Sequence, residues 1–207
     1  WQPDALRTPL YPLLMTTGYA LSGSWPVTSL LLNILLAAVS VVLTARLARG
    51  LGQRAALTAA FIVAVDPASV LYTNHVVAEA LFTLLLVATA LSLRRALETQ
   101  AMGPRILAGL FAALATLAKP AATYLLLWLT PFALAALVRR VGWRPALKSW
   151  GVVLLVFLVV LTPWLARNVV VHGFCHVTAI QELNLLLWNV AVLEGRQRQL
   201  GLRDAQA

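Results

Sequence analysis

The sequence predicts an all-α, polytopic transmembrane helical bundle, and three observations predict it. Of 207 residues, 61% are hydrophobic and 11% charged, against about 45–50% apolar and about 25% charged in ordinary soluble domains. Several apolar runs approach the roughly 20 residues that a helix needs to cross a hydrocarbon core of about 30 Å. The basic residues are gathered between those runs. A β-barrel would need stretches of about ten residues alternating apolar and polar, whereas 151–161 reads GVVLLVFLVVL. Neither a repeat nor a low-complexity linker divides the chain, so 1–207 reads as a single transmembrane domain.

Segment 9–22 comes first, and Pro12 and Gly18 interrupt it. It reads as interfacial or re-entrant. Six candidate spans follow between charge clusters: 26–48, 54–66, 76–97, 104–118, 121–138 and 149–166. The second, fourth and fifth are short for a full crossing.

The cations assign these spans to sides, because short loops rich in Lys and Arg stay in the cytoplasm. One set of loops carries Arg46, Arg49, Arg54, Arg94, Arg95, Arg105, Arg139, Arg140, Arg144 and Lys148. The opposite set holds Arg7, Lys119 and Arg167 up to residue 195. Strict alternation over six crossings satisfies this partition and puts both ends of the chain outside the cytoplasmic membrane. Arg196, Arg198 and Arg203 sit about 30 residues past the last span, where the rule carries little weight. The net charge of +9 therefore reflects topology, and no nucleic-acid partner is expected.

No signal peptide is visible, and the chain opens WQPD without an initiator Met, so a piece of a longer protein is expected. Cys175 is the single cysteine, which excludes an internal disulfide. G-x-S-x-G, the P-loop and H-E-x-x-H are absent.

Three clusters hold the candidate chemistry. Arg7, Lys119 and Arg167 fall on the outer side beside Pro9, Pro120 and Pro163. Irregular backbone at membrane depth is tolerated where protein or a water-filled cavity satisfies it, which points to an outward cavity. Three cations there suit a phosphate, matched by guanidinium forks and a Lys point charge. The plainer alternative is that prolines mark helix ends and each cation snorkels to lipid headgroups. In YTNHVVAEALF, a continuous helix would set Tyr72, His75 and Glu79 on one face. Glu79 either orients a sugar hydroxyl or cation at the cavity wall or simply complements the helix dipole. With His172 and His176 remote in sequence, His75 has no evident metal partners, so no metal site is assigned. In LTPWLARNVVVHGF the helix is expected to end, with Trp164 in the interfacial belt and Arg167 and Asn168 facing outward. Asp66, before Pro67, reads as a cap on a short helix.

Taken in order, LRTPLYPLLM, DPASVLYTNHVVAEALFTLLL, LAGLFAALATLAKPAATYLLL and TPWLARNVVVHGF resemble motifs of the GT-C polytopic glycosyltransferases, the superfamily of protein mannosyltransferases and lipid A aminoarabinose transferases. The likeness runs from about residue 5 to 190, with Thr8 standing where the family pattern has a first proline. The resemblance implies a GT-C fold and a polyprenyl-phosphate-sugar donor. It sets Arg7 beside the lipid phosphate and Lys119, Arg167 and Asn168 along the outer cavity, with Tyr11, His75 and Glu79 as further polar wall. It also implies inversion at the anomeric carbon and a catalytic acidic base upstream of Trp1, Asp4 not being its equivalent. On that reading residues 1–207 alone are inactive, an N-terminal helix, its outer loop and a C-terminal region being missing. Acceptor and cofactor stay unknown, a divalent metal included. Two other classes stay open: a transporter or flippase for an anionic lipid or sugar, although no paired halves with interrupted helices are visible, and a non-catalytic scaffold packed through small residues such as Gly109 and Ala113.

Overall fold

The computed structural model describes residues 7–73, 75–180, 190, 192 and 193. Arg196, Arg198, Arg203 and Asp4, and the far end of the likeness, lie outside the described residues. The elements run in the order α1 (Leu10–Ser22), α2 (Trp25–Ala48), α3 (Gln53–Val65), α4 (Pro67–Thr73), α5 (Glu79–Thr99), α6 (Met102–Ala118), α7 (Leu125–Val141) and α8 (Trp143–His172), with 3₁₀ turns at Arg49–Leu51 and Pro120–Tyr124. No strand occurs among the described residues. The protein is all-α and multi-pass.

Among the described residues four helices are long and apolar enough to cross a membrane: Trp25–Leu51, Glu79–Thr99, Pro120–Val141 and Trp143–His172. α3 and α4 make a fifth if counted together, bent by 50° at Asp66. α6, at 17 residues, is a shorter apolar helix. These elements follow the six candidate spans in order. Of the expected short spans, the second is the bent pair α3 and α4 and the fourth is the short α6, whereas the fifth, Pro120–Val141 with its 3₁₀ entry, is at 22 residues long enough to cross. The breaks fall at Asp66-Pro67 and Lys119-Pro120 as the prolines predict.

Two expectations change. Segment 9–22 is one continuous helix, because Pro12 stands in its first turn, where a missing N–H costs no intrahelical bond. Gly18 packs against Thr28 of α2, where a side chain would collide. Helix α8 runs from Trp143 through Pro163 to His172, so Leu161–Phe174 begins within a helix and not at its end.

Helix α6 is the centre. Ala108, Ala112, Ala113, Ala115 and Thr116 are fully buried, and α6 packs against both α5 and α8. Small side chains let backbones approach. At Gly109 an added Cβ would strike the Val153 carbonyl and Val156 of α8. Large apolar side chains such as Leu127, Trp128, Phe132 and Phe61 face outward, the pattern expected when the surroundings are lipid tails. Three buried hydroxyls are satisfied within their own helices: Ser40 donates to the Leu36 carbonyl at 2.7 Å, Thr89 to Leu85 at 2.7 Å and Thr116 to Ala112 at 3.0 Å.

Long-range hydrogen bonds show how the ends are sorted. Arg94, near the end of α5, donates to the Leu47 carbonyl of α2, and Arg140, near the end of α7, donates to the Leu97 carbonyl. The three basic loops therefore meet at one end of the bundle. At the other end Thr8 donates to the Ala118 carbonyl at 2.8 Å, tying the entry of α1 to the exit of α6.

Candidate active site

A cavity of about 510 Å³ opens at the end opposite the basic loops. Arg7, Tyr11, Glu79 and Lys119 line it, with Trp25, Met15 and Val76 as apolar wall. Each comes from a different piece of backbone. Arg7 precedes α1 and is held beside α6 by the neighbouring Thr8 hydroxyl. Tyr11 sits in the first turn of α1, Glu79 opens α5, and Lys119 occupies the extended residue between α6 and the Pro120 turn.

Lys119 Nζ lies 2.9 Å from Glu79 Oε1, and both side chains are partly exposed. The ammonium also stands over the Phe82 ring, 5.6 Å from its centroid. Among the described residues no side chain pairs with the Arg7 guanidinium. With Glu79 matched to Lys119, Arg7 leaves the described lining of the cavity with a net positive charge. Lys119 has three N–H donors, so one bond to Glu79 leaves others for a second oxyanion.

The remaining expected residues are placed differently. Tyr72, His75 and Glu79 do not share a helical face, because α4 ends at Thr73 and α5 begins at Glu79. His75 offers its backbone carbonyl to Asn33 of α2 at 2.9 Å, and its side chain is not among the cavity's lining. Tyr72 lines a smaller neighbouring cavity of about 210 Å³ that shares Glu79 as a wall. Arg167 donates to Asn168 Oδ1 at 2.8 Å, meets His172 Nε2 at 3.1 Å and lies over the Trp164 ring at 4.6 Å. Asn168 is buried and donates to the His176 and Val177 carbonyls at 2.8 and 3.2 Å. That cluster folds the segment after α8 back onto its helix. From there Ile180 reaches the rim of the main cavity, but Arg167 and Asn168 do not line it.

Asp66 accepts from the Ser69 N–H at 2.7 Å, the expected cap of α4. Among the described residues no three His, Cys, Asp or Glu side chains gather as a metal site. Sequence reasoning missed Ser29 and Asn33, two buried polar residues that hold the chain beside the cavity. Their signal was available, as a polar pair four residues apart in an otherwise apolar span.

Residues 6–166 match the family described as Dolichyl-phosphate-mannose-protein mannosyltransferase. The chain belongs to this family. It is thereby a GT-C superfamily protein, a membrane glycosyltransferase that uses a lipid-linked sugar donor. Membership decides for the transferase over the transporter and the scaffold. The match takes in Arg7, Tyr11, Glu79 and Lys119, and stops one residue before Arg167. No curated protein and no solved structure matches the chain.

Proposed function

We propose that the protein moves a sugar from a polyprenyl-phosphate carrier to an acceptor hydroxyl on the outer side of the cytoplasmic membrane, with inversion at the anomeric carbon, in the cavity lined by Arg7, Tyr11, Glu79 and Lys119. The observation that carries this reading is the convergence of Arg7 and Lys119 on one cavity at the end of the bundle opposite ten basic residues. By the positive-inside rule that end faces outward.

The chemistry follows from charge. The acceptor oxygen attacks the anomeric carbon as the bond to the phosphate oxygen breaks, its proton passes to a general base, and the leaving phosphate gains negative charge. Cations fixed where that charge develops lower the barrier more than they stabilise the bound donor. Arg7 supplies a planar fork for two phosphate oxygens, and Lys119 adds a point charge. Glu79 holds Lys119 in place and turns its second oxygen towards a sugar hydroxyl. Tyr11 offers a phenolic group to the same space. Arg167, engaged by Trp164, Asn168 and His172 of α8, acts apart from the phosphate.

The test is transfer by the full-length protein in nanodiscs, with polyprenyl-phosphate sugars as donors. Arg7→Ala is expected to lower turnover by about 10²- to 10³-fold, the scale for losing one charge-stabilising donor, while the protein still inserts and folds. Undiminished turnover in folded Arg7→Ala contradicts the reading. Movement of an intact lipid-linked sugar across proteoliposomes, without chemical change, would restore the transporter.

A further inference from the structure

One buried amide joins the two walls of the cavity from behind. Asn33 of α2 is fully buried and does not line the cavity. Its Nδ2 donates to the His75 carbonyl at 2.9 Å, and its Oδ1 accepts from the Tyr11 hydroxyl at a longer 3.3 Å. Ser29, one turn earlier and buried, donates to the same His75 carbonyl at 3.2 Å and lies 3.3 Å from the Tyr11 hydroxyl. The amide's orientation is chemically fixed, because a carbonyl only accepts and the NH₂ group must face it.

The two partners of Asn33 belong to different elements that line the cavity or adjoin it. Tyr11 stands in α1 with Met15 and Thr16, and His75 opens the link that carries Val76, Val77 and Glu79. That link has no helix to hold it. Its backbone bonds, from His75 N–H to the Tyr72 carbonyl and from Val77 N–H to the His75 carbonyl, are local. Among the described residues, the hydrogen bonds that tie the link across to α2 are those of Asn33 and Ser29. An apolar residue at position 33 would remove the shorter of their two bonds to the His75 carbonyl, together with the acceptor that Asn33 gives the buried Tyr11 hydroxyl, and so loosen the tie between the link and α2.

We propose that Asn33 is a positioning residue that sets the width of the cavity, keeping the Tyr11 wall and the Glu79 wall at the separation the donor phosphate requires. The phosphate part rests on the proposed function; the clamp does not. Asn33 acts on the substrate only through Tyr11 and through the link that leads to Glu79.

The experiment uses the full-length protein in nanodiscs in a cysteine-free background. Spin labels at Thr16→Cys and Val76→Cys report the gap between the walls by dipolar broadening. Asn33→Leu is expected to reduce the broadening. In unlabelled protein it is expected to raise the KM for a polyprenyl-phosphate sugar about tenfold, on the scale of one lost hydrogen bond, with kcat changed much less. Asn33→Ala, which adds no bulk, takes its place if Asn33→Leu does not fold. Broadening that matches the unsubstituted protein overturns the clamp, as does an unchanged KM, even where the unfolding temperature falls. If the unsubstituted protein transfers no sugar, the donor reading fails, and the broadening still decides the clamp.

Discussion

Lys119 and Glu79, forty residues apart in sequence, meet at 2.9 Å on the wall of one cavity. Because both side chains are partly exposed, the pair adds little to stability, about 1 kcal/mol or less. Its role is arrangement. Lys119→Met leaves a carboxylate facing the place proposed for the phosphate, and transfer is expected to fall about 10²-fold or more. Glu79→Gln keeps the cation and is expected to lose less. A double-mutant cycle on kcat/KM is expected to show coupling, with the double variant no worse than Lys119→Met alone. Independent, additive losses would separate the two residues.

Asn168 predicts a local effect. Its amide serves two backbone carbonyls in the segment after α8, and Asn168→Ala leaves them without that donor, at about 1–3 kcal/mol. Hydrogen exchange is expected to quicken in a peptide covering 174–178 while α6 stays protected. Unchanged exchange there would show that the segment is held without Asn168, as by Trp164, which donates to the Val177 carbonyl at 2.8 Å.

Gly109 predicts a global one. Its missing side chain lets α6 lie against the α8 backbone at Val153, and a carbonyl cannot swing aside as a flexible side chain can. Gly109→Val is expected to destabilise by about 1–3 kcal/mol or more through overpacking, read as a lower unfolding temperature in detergent. Gly103→Ala, where nothing lies within 4 Å of an added Cβ, is the control.

Cys175 tests the orientation. It is exposed, just beyond the end of α8. A membrane-impermeant maleimide is expected to label it in intact cells, whereas a cysteine placed at Trp143, beside the basic loop, is labelled only after permeabilisation. The reverse pattern would invert the bundle.

Much of this arrangement is legible from charge and hydropathy. The ten loop cations and the apolar runs between them give the helix order, and Arg94 and Arg140 then link those loops in space. Prolines were the ambiguous signal. Pro67 and Pro120 do mark breaks, but Pro12 fits a first turn and Pro163 lies inside α8. Proline removes one N–H in every case, and only the packing around it decides whether a helix bends, ends or continues. The site was half legible for a related reason. Arg7, Tyr11, Glu79 and Lys119 announce themselves as polar groups at the ends of apolar runs, and they converge. Arg167 and Asn168 announce themselves equally well, yet Arg167 meets Trp164, Asn168 and His172 within α8, and Asn168 binds the chain that follows it. Asn33 lies within an apolar run, and its partners, Tyr11 and the His75 carbonyl, become visible only once α1, α2 and the 75–78 link are placed together.

The central claim is that Arg7 and Lys119 hold the phosphate of a lipid carrier, and binding tests it more directly than turnover. The measurement is the affinity of the full-length protein in nanodiscs for a polyprenyl phosphate, compared among the unsubstituted chain, Arg7→Ala, Lys119→Ala and Arg167→Ala. The account predicts weakening of about tenfold or more for each of the first two variants, the scale of a lost charge-assisted hydrogen bond, and near-native affinity for Arg167→Ala. Equal affinity in all four proteins, or a loss confined to Arg167→Ala, would contradict it.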